Sequence, residues 1–109
     1  MLFTEFAAGG NEYKLRLNTR ATVALEKQLG CNPLSIFGNG ETLPTITTMV
    51  QILHAAMQQY QHNITVEKAY DIFDAWLADG HAVTDFLPII IEVYKASGII
   101  NAEEIEKNA

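Results

Sequence analysis

Side chains able to do chemistry are few in this 109-residue sequence, and they do not converge. The three histidines are His54, His62 and His81. His54 and Gln58 are i, i+4 neighbours, but no second histidine, cysteine or acid joins them at ligand spacing, and structural zinc needs about four ligands. His62 and His81 fall at expected helix ends, where imidazole is commonly a surface group. Asp71 and Asp74 stand at i, i+3, with Asp79 a turn further on. Paired carboxylates can move protons or hold a hard cation. These lie opposite an aromatic stripe, which reads as a solvated face. Cys31 is the only cysteine, so it makes no internal disulfide, and a reactive thiol would need an activating neighbour. Ser35 and Ser97 lack the strand-to-helix elbow of a serine nucleophile. No catalytic constellation emerges, so no catalytic, cofactor-binding or metal residue is expected.

Composition narrows the class. An apolar share of 49% suits a folded domain rather than a disordered chain, and this length fits one core without staples. No apolar run approaches the roughly 18 residues of a membrane helix. Met1-Leu2-Phe3 leads straight into Thr4 and Glu5, so no secretory signal is expected and intracellular residence is the default. Net charge is -6 and unevenly placed. Up to Gly30, four bases stand against three acids; from Cys31 onward, three bases stand against ten. An acidic body repels phosphates, which disfavours nucleic acid as a partner.

The elements that would position these residues can be read in order. Residues 2–7 and 12–17 alternate as two strands around Ala8-Gly9-Gly10-Asn11, a hairpin turn signal because Gly and Asn tolerate positive φ. Tyr13, Leu15 and Leu17 take the buried face. Asn18 or Thr19 caps a helix to about Leu29, with Gly30 as its stop and Ala21, Leu25 and Leu29 as its stripe; Arg20, Glu26 and Lys27 face solvent. Asn32-Pro33 opens one short helical turn whose Leu34, Ile36 and Phe37 plug an end of the core. Residues 38–42 read as a mobile surface loop. A helix from Leu43-Pro44-Thr45 to about Gln61 carries Ile46, Met49, Val50, Leu53, Met57 and Tyr60 at helical spacing.

The best-marked helix spans residues 65–80. Thr65 offers a hydroxyl cap, Glu67 a first-turn carboxylate and Gly80 a left-handed stop. Val66, Ala69, Tyr70, Phe73, Trp76 and Leu77 share its apolar face. Thr84-Asp85 caps a last helix with Phe86, Leu87, Ile89, Ile90, Ile91, Val93 and Tyr94, with Pro88 in the first turn, where it costs least. Three successive isoleucines cover most of a helix's girth, so this helix is either central or partly exposed for a partner. Ser97-Gly98 ends it. The expected fold is α+β and predominantly α, an N-terminal β-hairpin packed on about four helices. It forms a single domain over 1–109: hairpin 1–17, helical bundle 18–98, acidic flexible tail 99–109.

In order and spacing the chain resembles the small tail assembly chaperones of long-tailed (siphovirus-type) bacteriophages and prophages of Gram-positive bacteria. The resemblance covers nearly the whole chain. It rests on Tyr13-Lys14-Leu15-Arg16-Leu17, Thr19-Arg20, Leu25-Glu26-Lys27-Gln28-Leu29-Gly30 and Asn32-Pro33-Leu34. It continues through Leu43-Pro44, Ile52-Leu53-His54-Ala55, the turn over 60–64, Ala69-Tyr70, and Glu92-Val93-Tyr94 before Ser97-Gly98. These are packing and capping residues, and the family supplies no catalytic residues to transfer.

The resemblance implies a non-enzymatic protein of the host bacterial cytoplasm. Such a protein coats the tape measure protein, helps tail-tube protein assemble around it and is absent from the mature virion. It also implies a longer form made by frameshifting near the gene's end. No cofactor, nucleic acid or membrane enters, and self-association is left open. A chaperone for an amphipathic helix needs an apolar surface that is covered until a partner arrives. Ile89, Ile91 and Tyr94, with Met49 and Met57 as adaptable contacts, are the partner-binding candidates. The competing expectations are a structural tail or connector protein retained in the virion, or a small helical interaction adaptor.

Overall fold

The structure is a computed structural model, and it describes residues 2–37 and 43–100. The expected loop over 38–42 and the tail from 101 onward lie outside the described residues, as does the side chain of Phe37.

Two strands, β1 (Thr4–Ala8) and β2 (Asn11–Leu15), pair antiparallel with Phe6 opposite Tyr13. Gly9 and Gly10 turn the chain between them at φ 58° and 83°, the two positive values that a tight two-residue hairpin requires. Four helices follow: α1 (Thr19–Leu29), α2 (Ile46–Met57), α3 (Val66–Ala78) and α4 (Phe86–Ala96). A 3-10 turn over Pro33–Phe37 follows α1, and another over Val83–Asp85 leads into α4. The α+β hairpin-and-bundle architecture is therefore the one the sequence predicts.

The caps explain the boundaries. The side chains of Asn18, Thr45 and Thr65 accept the N–H of Ala21, Thr48 and Lys68, each satisfying a donor that a helix start leaves free. Gly30 closes α1 in the left-handed conformation. Helix α2 is shorter than its periodicity suggests, ending at Met57 rather than near Gln61. Its last carbonyls are taken by side-chain amides: Gln58 Nε2 donates to His54 O at 2.7 Å, and Gln61 Nε2 donates to Met57 O at 3.0 Å. Asn63 then turns the chain at φ 61°.

The hairpin is fastened at several points. Gln61 pairs with the outer edge of β2 like a strand backbone, its Oε1 accepting from Lys14 N and its Nε2 donating to Lys14 O. Arg16 N donates to Ala56 O at the end of α2. Arg16 Nη1 donates to the carbonyls of Leu2 and Ala96, placing a cation at the negative end of α4. Leu17 N donates to Ser97 Oγ, and Gly9 N donates to Asp79 Oδ2.

Hairpin and helices share one core. Phe6, Phe73, Trp76 and Phe86 form an aromatic cluster with ring centroids 5.2–6.0 Å apart, joining β1, α3 and α4. Contacts of this kind contribute about 0.5–1.5 kcal/mol each beyond burial. Helix α2 runs through the middle, burying Met49, Val50, Ile52, Leu53, Ala55, Ala56 and Met57. Helix α3 is rotated from its expected face. Ile72 is buried with Ala69, Phe73 and Trp76, whereas Val66 and Tyr70 stay exposed at 40% and 39%. The cluster around Phe6 and Phe86 draws Phe73 and Trp76 inward and fixes that rotation. At the other end, Leu34 is exposed rather than plugging the core, and Pro33 is buried in its place, its carbonyl accepting from Tyr94 Oη at 3.0 Å.

Candidate functional site

The groups singled out for chemistry remain apart. Asp71, Asp74 and Asp79 are exposed on the outer side of α3 or at its end. Asp79 has a structural task, accepting the turn N–H of Gly9. His62 is exposed in the turn after α2 and His54 is half-buried. His81 lies flat on the Trp76 indole, with centroids 4.6 Å apart and planes 7° from parallel. Among the described residues no three of His, Cys, Asp or Glu gather as metal ligands. Cys31 is exposed beyond the end of α1.

The partner-binding candidates divide. Met49, Met57 and Tyr94 are core residues, all 1% exposed or less. In this conformation they are closed to a partner: α2 is flanked by α1, α3, α4 and β2, so both of its methionines point into protein. Tyr94 is equally enclosed. Burial pushes its phenol well above the ordinary tyrosine range, with the nearby Cys31 adding to the shift. Ile89 and Ile91 are half-buried, and Ile89 packs against the core edge. The surplus girth of α4 is thus mostly absorbed by its place in the bundle.

Helix α1 presents a different surface. It buries only Leu25 fully, with Ala21 and Leu29 partly covered. Arg20, Val23, Ala24 and Lys27, at i, i+3, i+4 and i+7, therefore form one outward face. All four are exposed, Val23 at 42%. On one side of this face a cleft of about 320 Å³ runs between α1 and α2. Its apolar lining is small, Ala21, Ala24 and Ala55, and its polar lining includes Arg20, Gln28, His54 and Gln58. A broad depression lined by Thr19, Arg20, Val23 and Lys27 covers the face itself. Neither lining includes a carboxylate among the described residues, in a chain whose acids outnumber its bases thirteen to seven. Among the described residues the one ion pair joins Lys95 and Glu92, and neither Arg20 nor Lys27 pairs with a described carboxylate.

Sequence periodicity marks Arg20 and Lys27 only as solvated. The signal for more was the narrowness of the stripe Ala21–Leu25–Leu29, which leaves Val23 and Ala24 without a place in the core. That small-sided cleft depends on α2 lying alongside, and no local pattern in α1 reveals it.

What these features define is a small α+β domain: a fastened hairpin on four helices, with a cleft beside its least buried helix whose described lining holds no carboxylate. The chain belongs to a family of unknown function (DUF6096), whose description matches residues 4–108. No curated protein and no solved structure matches it.

Proposed function

We propose that this protein is a non-enzymatic tail assembly chaperone of a long-tailed phage or prophage, binding the tape measure protein while tail-tube protein assembles around it. The observation that carries the reading is where the residues of the resemblance sit. Arg16 and Leu17 fasten the hairpin, Thr19 and Gly30 bound α1, and Pro33 meets Tyr94. Leu53 and Ala69 lie in the core, and Ser97 and Gly98 end α4. These members of the likeness build the fold, whereas Arg20, Lys27, Leu34 and Tyr70 of the same set lie exposed; the fold-building group is what supports a common architecture.

Co-expression with the tape measure protein encoded beside it, followed by affinity purification, tests the proposal. A stable complex that keeps the tape measure protein soluble is expected; no complex at any salt concentration refutes it. Mass spectrometry of purified virions separates the chaperone, which is expected to be missing, from a connector or tail protein retained in the particle.

A further inference from the structure

We propose that the cleft between α1 and α2, with the adjoining face of α1, docks an amphipathic helix of the partner protein that carries carboxylates beside its apolar stripe. The inference rests on the chaperone reading for the identity of the partner; the chemistry is drawn from the surface itself.

Charge complementarity decides the occupant. The chain as a whole carries -6, yet among the described residues the cleft and the face beside it are lined by Arg20 and Lys27 with no Asp or Glu, and Glu26 enters only in the neighbouring depression beyond Val23. Neither cation forms an ion pair among the described residues. Both stand on the outward side of α1, seven residues and two turns apart, so a helix laid along α1 could meet both with acids of matching spacing. Such pairs add selectivity and speed of encounter more than raw affinity.

Apolar contact would come from the cleft. Ala21, Ala24 and Ala55 are small, so the floor lies deep and a larger aliphatic side chain can enter between the helices. Val23 extends the apolar strip on the far side of the cations. Gln28 and His54 can hydrogen-bond at the rim, whereas the amide nitrogen of Gln58 is already held by the carbonyls of His54 and Ile64. This arrangement of an apolar slot and a polar, cationic rim is the groove form of helix recognition. A basic helix would place its charges against Arg20 and Lys27 and be rejected there.

Two labelled helical peptides of equal length test the docking, one carrying Leu with flanking Glu and the other with each Glu replaced by Lys. Binding is read by fluorescence anisotropy, and the site by amide chemical shifts of the full chain. The Glu peptide is expected to bind, with the largest shifts at Ala21, Ala24 and Ala55, and to weaken as salt rises. The double variant Arg20→Glu/Lys27→Glu, at exposed positions, is expected to keep the wild-type thermal midpoint and lose roughly tenfold or more in affinity. The variant Ala24→Gln, which fills the slot while leaving both cations, is expected to weaken binding as well.

Several results would overturn the docking site. They are equal or tighter binding of the Lys peptide, shifts centred elsewhere, no binding of either peptide, or full affinity in the charge-reversed variant. Concentration-dependent self-association abolished by the same reversal would assign the face to a second copy and reject a partner helix. Co-purification separates the two levels of the argument. If Arg20→Glu/Lys27→Glu retains the tape measure protein, the docking site falls and the chaperone function stands. If the wild-type chain does not retain it, the chaperone function falls whatever the peptides do.

Discussion

Replacing Gly9 by Ala should damage the fold more than the same change one residue later. Both glycines sit at positive φ, so an L side chain at either costs about 1 kcal/mol in backbone strain. Their surroundings differ. A Cβ on Gly9 would stand 3.1 Å from the Cβ of Ala75 on α3, whereas one on Gly10 meets nothing within 4 Å. Carbon pairs prefer about 3.5–4.0 Å. Neither of these two methyl carbons can rotate away, because each is fixed directly to backbone. The turn must lift from α3, straining the bond from Gly9 N to Asp79. Overpacking of this kind costs about 1–3 kcal/mol, so Gly9→Ala should lose about 2–4 kcal/mol and Gly10→Ala about 1 kcal/mol. Urea unfolding measures both, provided the slope m is unchanged between variants. Ala75→Gly costs about 1 kcal/mol for glycine in a helix but makes room, so the double-mutant cycle should return a favourable coupling between Gly9→Ala and Ala75→Gly. Equal losses for the two glycine variants, or zero coupling in the cycle, would mean the hairpin is not seated on α3 as described.

Trp76→Ala removes the ring that touches Phe6, Phe73 and Phe86, and should cost about 3–5 kcal/mol in chemical denaturation; a thermal midpoint near wild type would refute that packing. Tyr94→Phe deletes the donor to Pro33 O, with an expected loss of about 0.5–1.5 kcal/mol near neutral pH. Its pH dependence has a definite sign. The folded phenol resists ionisation because burial raises its pKa, with Cys31 adding to the effect. The unfolded phenol releases its proton near pH ~10. Stability conferred by the neutral phenol is thus complete below that range and falls as alkaline pH rises through it. Unfolding midpoints measured across alkaline pH should drop less steeply in Tyr94→Phe than in the wild type.

Local signals specified much of this architecture because caps and turns act over a few residues. Asn18 and Gly30 delimit α1 by hydrogen bonds and φ preferences that need no distant contact. The paired glycines at 9 and 10 likewise define the hairpin. Where a neighbour decides, periodicity was less informative. Val66 and Tyr70 fit a helical stripe with Phe73 as well as Ile72 does, and only the aromatic cluster with Phe6 and Phe86 selects Ile72 for burial. Gln61 continues the polar face of a longer helix until β2 arrives to take its amide. The candidate surface followed the same rule. The methionines of α2 were plausible adaptable contacts until other elements enclosed them, and the α1–α2 cleft exists only once both helices are in place.

Burial is unevenly shared among the helices, and this bears on how the candidate surface behaves. Helix α1 fully buries Leu25 alone, whereas α2 fully buries seven side chains and α3 and α4 four each. Sub-global opening follows the apolar surface that a segment gives up, so α1 should open at lower free energy than α2. Native-state hydrogen exchange measures this directly. Amides in the middle of α1 should exchange through an opening well below the global unfolding free energy, and those of α2 near the global limit. A ligand bound along Arg20, Val23, Ala24 and Lys27 should slow the α1 amides first, because opening α1 would release it. If the α1 amides exchange only through global unfolding, the single anchor at Leu25 is not what holds the helix, and the contrast drawn from burial is wrong.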